Sequence, residues 1–155
     1  MLRTHTCGEL SKVDAGQEVV LCGWIDSVRV SGKIGFLDIR DRYGKTQVFL
    51  NKELAANAGS LHNEDFVMIK GLVKARPENQ VKGTGTLEIE LSASNLEVLN
   101  ASETPLPIEI SEDTTTHIDK RLDNRFLDIR REKIRSIFAV RSRIYSETVA
   151  FFIKS

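Results

Sequence analysis

Phe36, Gln47 and Phe49 are the residues whose type and spacing point most directly to chemistry, because they lie on the wrong side of a sheet for ordinary hydrophobic packing. In the segment from Ile34 to Asn51, a period of two puts Leu37 and Ile39 on one face and Phe36, Asp38 and Arg40 on the other. After the turn at Tyr43-Gly44, Val48 and Leu50 are the natural core residues, so Gln47 and Phe49 point the opposite way. Two aromatic rings among polar groups make a flat surface on which unstacked bases can lie, with an amide able to read a base edge. The competing reading makes Phe36 a core residue after a one-residue register slip, which would also flip its neighbours. For Phe49 the competing role is packing beneath a loop.

Other constellations are absent or ordinary. His5, His62 and His117 are far apart in sequence, and Cys7 and Cys22 form no CxxC pair, so no metal site is expected and both thiols read as reduced structural residues. Gly32-Lys33 lacks the upstream glycine and following helix of a phosphate-binding loop. Asp38, Arg40, Asp41 and Arg42 alternate in charge along a strand edge and turn, a pattern expected to form surface pairs. The chain of 155 residues carries 22 basic and 22 acidic side chains, net charge zero. Without a global field, any nucleic-acid binding must be local. Charge is nevertheless uneven, the stretch from Lys120 to Arg143 being basic. No signal peptide or long apolar run is visible, and the expectation is a soluble cytoplasmic protein that does not engage a membrane.

The elements that must position these residues follow from pattern. Thr6 and Glu9 have capping-box spacing for a short helix over Thr6 to Val13, ended by Gly16. Strands are expected at Glu18 to Ile25, with a bulge or tight bend at Gly23, then at Ile34 to Arg40 and Lys45 to Leu50. A short helix, Lys52 to Ala58, stops at Gly59; a fourth strand, Phe66 to Ala75, contains Gly71; and a mobile loop, Pro77 to Gly85, precedes a fifth strand at Leu87 to Leu99. Five short strands with interior glycines and a helix between the third and fourth are the ingredients of a mainly β OB-fold, a five-stranded Greek-key barrel that binds oligonucleotides on the face of strands two and three. A β-sandwich is the alternative on pattern alone. From Asn100 to Thr116, Pro105, Pro107 and a triple Thr mark an extended linker. From Glu132 to Ile153, Ile134, Ile137, Phe138, Ile144, Tyr145, Val149 and Phe152 recur at helical spacing. The expected division is a barrel over 1–103, a hinge over 104–131 and an amphipathic helix over 132–155, read as the start of a further domain that has been truncated.

Several blocks together resemble bacterial and archaeal aspartyl-tRNA synthetases: RTHTCGEL at Arg3 to Leu10, VVLCGWI at Val19 to Ile25, FLDIRDRYGKTQVFL at Phe36 to Leu50, ARPE at Ala75 to Glu78, LEVLNASETPLPIEI at Leu96 to Ile110 and RLDNRFLDIRR at Arg121 to Arg131. The resemblance implies an N-terminal OB-fold that binds a tRNA anticodon, a hinge, and the first helix of a class II catalytic domain. The family's catalytic motifs follow that helix and are absent here, so the fragment is expected to recognise tRNA without aminoacylating it. ATP and Mg2+ are implied for the full-length enzyme only, as is a homodimer.

By resemblance, Phe36 stacks on the central anticodon base and Gln47 hydrogen-bonds a neighbouring base edge. Arg29 matches an anticodon-contacting arginine, although Asp26-Ser27-Val28 replaces the family's usual basic run before it and Val30 its aspartate after it, leaving fewer phosphate-facing charges. Arg76, Glu78 and Asn79, and by alignment Glu90, are candidates for the remaining bases, each carboxylate accepting from a base amino or imino group. A solvated surface charge is the alternative for each. Arg121, Asp123, Arg125, Arg130 and Arg131 are expected to serve domain docking. Whether tRNA for asparagine is accepted beside tRNA for aspartate is left open. The competing functions are a stand-alone OB protein that binds single strands without sequence preference, and a dimerising paralogue whose C-terminal helix supplies an interface.

Overall fold

A computed structural model describes residues 2–81 and 83–154 and divides the chain into two units, Met1–Thr104 and Pro105–Ser155. In the first unit, β1 (Glu18–Ser31), β2 (Ile34–Arg40), β3 (Lys45–Leu50), β4 (Phe66–Ala75) and β5 (Ile89–Asn100) close into a barrel in the order β1-β2-β3-β5-β4. All pairings are antiparallel except β3 with β5, which closes the barrel in parallel through Val48↔Leu91 and Phe49↔Ser92. Closure leaves no long free edge and creates one interior. Val19, Leu21, Ile25, Leu37, Ile39, Val48, Leu50, Val67, Ile69, Ile89 and Leu91 fill it almost without exposure. The alternation of β2 and β3 thus divides oil from water, and the mainly β OB-fold expected from the pattern is the fold observed.

Three local expectations change. β1 continues six residues beyond Ile25, because its first half pairs with β4 and its second with β2, a bulge between Ile25 and Ser27 turning the strand from one partner to the other. Hydrogen bonds to β2 hold that second half, so its side chains need not be apolar. Gly23 is required nearby for a different reason than a bulge: a Cβ there would lie 2.8 Å from the Arg40 carbonyl oxygen. The expected helix over Thr6 to Val13 is instead a turn followed by a single 3-10 turn, Lys12–Asp14. The Cys7 N–H donates to Asp41 Oδ2 (3.0 Å) and its carbonyl accepts from Thr46 Oγ1 (2.7 Å), so neither group is left for a helical ladder. Thr6 and Glu9 still pair, side chain to side chain.

The helix after β3 forms as α1 (Lys52–Asn57), with the Asn51 side chain accepting from Leu54 N–H, and runs into a 3-10 turn that contains Gly59. Between β4 and β5 lie 3-10 turns at Glu78–Gln80 and Gly85–Glu88, the second occupying the first two positions expected of β5. The loop expected over Pro77 to Gly85 includes Lys82, which lies outside the described residues.

In the second unit, part of the expected hinge is helical: α2 (Ile118–Asp123) and α3 (Arg125–Asp128) precede α4 (Glu132–Lys154). The organising group is Asp128, whose buried carboxylate accepts from Arg121 Nε (2.9 Å), Arg125 Nη1 (2.7 Å) and Arg131 Nη1 (3.1 Å). These bonds, Arg121 foremost, hold its carboxyl below the usual carboxylate range. Glu112 caps α4 from twenty residues upstream, accepting from Glu132 N–H at 2.5 Å. The α4 stripe is formed but open, with Ile137, Phe138, Ile144, Tyr145, Val149 and Phe152 all exposed.

Candidate nucleic-acid interface

Register builds the outward face of β1, β2 and β3 row by row. Arg29 pairs with Phe36, and Phe36 with Phe49, so an arginine and two rings stand in register across three strands, the guanidinium reaching along to Asp38. The rings meet edge to face, centroids 5.7 Å apart and planes at 65°. Two residues along, Ser27 pairs with Asp38 and Asp38 with Gln47. Each outward residue of β2 and β3 from Phe36 on is half-buried or exposed between fully buried neighbours, which excludes the register slip. Sequence alternation therefore placed Phe36, Gln47 and Phe49 correctly, on one continuous surface.

Beside the second row lies a groove of about 310 Å³. Gln47 and Asp38 line it, flanked by the cations Arg29 and Lys45 and by Asp26. Arg76, Thr86 and Leu87 line it from the β4–β5 connection. Arg76 is anchored there, its Nε donating to the Ile89 carbonyl (2.7 Å) and its backbone N–H to that of Glu88 (2.8 Å). Three of the expected residues, Arg29, Gln47 and Arg76, thus converge on one concavity. Glu90 stands on the outward face of β5 one position before Leu91, the partner of Val48, which sets it alongside Gln47. Glu78 and Asn79 sit exposed on a separate 3-10 turn and do not line the groove.

The electrostatics are local and balanced. Asp38 Oδ2 accepts from Ser27 Oγ (2.7 Å) and Arg29 Nη2 (2.9 Å), while Asp26 accepts from Arg40 Nε (2.9 Å) and Lys45 Nζ (2.8 Å). Three cations against two carboxylates make a weak field, suited to bases more than to a run of phosphates. The expectation of surface pairs holds for Asp38 but not for Asp41, which is buried and accepts from Cys7, Tyr43 and Gly44 N–H groups and from Arg3 Nη1. That residue pins the N-terminal segment to the β2–β3 turn. It does so because the tight turn aims backbone donors inward, where only a carboxylate satisfies several at once.

Asp38, Lys45, Thr86 and Leu87 were not expected at the site. For Asp38 the signal was present, since alternation put it on the face of Phe36; for Thr86 and Leu87 no local pattern exists. Among the described residues no group of three or more His, Cys, Asp or Glu is placed to hold a metal ion, and no helix is long and apolar enough to cross a membrane.

Comparison with known proteins agrees with this geometry. Residues 19–99 match the tRNA anti-codon family, an OB-fold nucleic acid binding domain. The Aspartate--tRNA(Asp/Asn) ligase of Rhodopirellula baltica is 44% identical over 150 residues, covering 93% of this chain and 25% of that protein. The ligase of the same name from Thermotoga maritima is 41% identical over 147 residues, again 93% and 25%. The chain therefore spans about a quarter of the length of the curated relatives it matches. Among solved structures, asparaginyl-tRNA synthetase from Pyrococcus horikoshii superposes with a TM-score of 0.85 at 28% identity, covering 99% of this chain and 36% of that one. Aspartyl tRNA synthetase from Entamoeba histolytica gives a TM-score of 0.87 at 22% identity over 97% and 37%, a likeness of fold. A closed barrel in OB order, an aromatic pair on the face of β2 and β3, and the family match across the strands agree: the chain belongs to the tRNA anti-codon family of OB-fold nucleic acid binding domains, of the type found in aspartate–tRNA ligases.

Proposed function

We propose that this chain reads the anticodon loop of tRNA for aspartate as the recognition part of an aspartate–tRNA ligase. The observation that carries the reading is the row Arg29–Phe36–Phe49 with Gln47 beside it, on the open face of β2 and β3. Phe36 supplies the stacking surface for the central base, Phe49 extends it, and Gln47 bonds a neighbouring base edge. Arg29 and Arg76 contact base edges or phosphates bordering the groove. Glu90 accepts from a base amino or imino group, and Glu78 and Asn79 meet the loop further out. The relatives' names carry both Asp and Asn, and the reading takes in tRNA for asparagine as a second ligand.

In the whole protein the proposed activity is ATP-dependent aspartylation of tRNA by a cytoplasmic homodimer. The proposed activity of the whole protein requires ATP and Mg2+, and among the described residues no group of three or more His, Cys, Asp or Glu is placed to hold a metal ion. Those groups belong, in this proposal, to a catalytic domain of the whole enzyme.

Fluorescence anisotropy with a labelled anticodon stem-loop of the aspartate type, against an unrelated stem-loop of equal length, tests recognition. Tighter binding of the aspartate loop is expected. Equal binding of both would refute the reading, and tight binding of homopolymers would favour a single-strand binder without sequence preference.

A further inference from the structure

Asp38 and Gln47 face each other as register partners on β2 and β3, and both line the groove beside the aromatic row. The bonds of Asp38 are asymmetric. Ser27 Oγ and Arg29 Nη2 both donate to Oδ2, at 2.7 and 2.9 Å, and among the described residues no hydrogen bond reaches Oδ1. Nor does any among the described residues engage the Gln47 amide. The Asp38 side chain is 28% exposed, so Oδ1 is not a buried orphan that the fold tolerates at a cost; it is an accessible acceptor on a residue that lines the groove. A carboxylate fixed through one oxygen by two donors cannot easily turn away, which leaves the other oxygen pre-aimed.

From this geometry we infer that Asp38 is a specificity-determining residue that accepts from the N–H donors of a nucleobase whose neighbouring acceptor is met by the Gln47 amide. The inference rests on the anticodon-reading proposal and adds to it a selection rule for one base. An open carboxylate oxygen beside an amide forms an acceptor next to a donor. That array complements an edge that offers an amino or imino N–H next to a carbonyl or ring-nitrogen acceptor, and it repels an edge that offers acceptors alone. The groove volume of about 310 Å³ is at the small end of ligand pockets and suits a single base rather than a chain of phosphates. Arg29, which shares Oδ2, is held at the rim by the same carboxylate. Asp38 therefore also orders a cation that would otherwise swing freely, its side chain being 60% exposed.

The test is a double-mutant cycle between protein and RNA. The aspartate-type stem-loop is compared with three versions, each replacing one anticodon base by an analogue that lacks N–H donors on its pairing edge. Binding is measured for the wild-type chain, Asp38→Asn and Ser27→Ala, with circular dichroism checking that each is folded. The expected result is a loss of about tenfold or more at one position for the wild-type chain, collapsing to near parity in Asp38→Asn, because Asn can present a donor where the carboxylate accepted. Ser27→Ala removes one anchor of Oδ2 and leaves Oδ1 in place, so the positional preference should persist in weakened form. If Asp38→Asn weakens every loop by the same factor and keeps the positional preference, Asp38 merely holds Arg29 and the inference is overturned. If the wild-type chain prefers the aspartate loop yet shows no position sensitive to donor removal, the inference fails while the anticodon reading stands. If the wild-type chain does not distinguish the aspartate loop from an unrelated one, the anticodon reading itself fails, and the selection rule with it.

Discussion

Phe36→Ala separates stacking from charge, because it removes a ring from the outward face and no charged group. The ring is half-buried on the outward face and meets Phe49 edge to face, centroids 5.7 Å apart. Truncation therefore costs the fold the edge contact, about 0.5–1.5 kcal/mol, together with some apolar area shared with neighbouring strands. It costs binding the stack on one base, about 1–3 kcal/mol, which corresponds to a fall in affinity of roughly fivefold to 150-fold. Because no charge is removed, the slope of log affinity against log salt should stay unchanged, whereas loss of a phosphate-contacting cation would lower it by about one. Anisotropy titrations at several salt concentrations give both numbers at once. Stacking tolerates any base, so affinity should fall by similar factors for aspartate and unrelated loops; Gln47→Ala should instead fall mainly on the aspartate loop. Phe36→Leu keeps apolar volume without a π-face and should recover stability but not affinity. A folded Phe36→Ala chain that binds the aspartate loop within about twofold of wild type would refute the platform argument.

Further perturbations test what holds the platform in place. Asp41→Ala leaves the inward N–H groups of Cys7, Tyr43 and Gly44 without their acceptor and should cost about 3 kcal/mol or more, read as a lowered urea midpoint with an unchanged slope. Burial opposes ionisation of Asp65, yet the Ser102 and His62 N–H groups and the Ser102 hydroxyl outweigh it and hold its carboxyl below the usual carboxylate range. The unfolded chain therefore takes up this proton first as pH falls. The stabilisation is complete above about pH 4 and is lost as pH drops through the folded value. Asp65→Asn should accordingly be less stable at pH 7 and show a shallower decline in acid, followed by denaturation across pH. Gly71→Ala would place a Cβ 2.5 Å from the Ser92 carbonyl oxygen, a backbone atom, and should cost about 1–3 kcal/mol by parting β4 from β5. Gly59→Ala, with nothing within 4 Å, is the control and should leave the melting temperature nearly unchanged.

What could be read from the chain alone was whatever depends on nearest neighbours along it. The faces of β2 and β3 were legible because a strand that borders a core must alternate, and Leu37, Ile39, Val48 and Leu50 leave Phe36, Gln47 and Phe49 no other side. The length of α4 was legible for the same reason at a helical period. What escaped depends on groups far apart in sequence. Whether Thr6 to Val13 coils into a helix was decided by Asp41 and Thr46 claiming the backbone of Cys7 from thirty-four and thirty-nine residues away. Asp128 likewise ordered a segment expected only as part of a hinge, because three arginines satisfy a charge that burial alone would forbid. The groove exists only because β3 and β5 close the barrel in parallel, bringing Arg76, Thr86 and Leu87 across to Gln47 and Asp38. Local pattern records which side of a strand meets water; only closure of the barrel decides which distant residues share that water, and so which of them can hold one base between them.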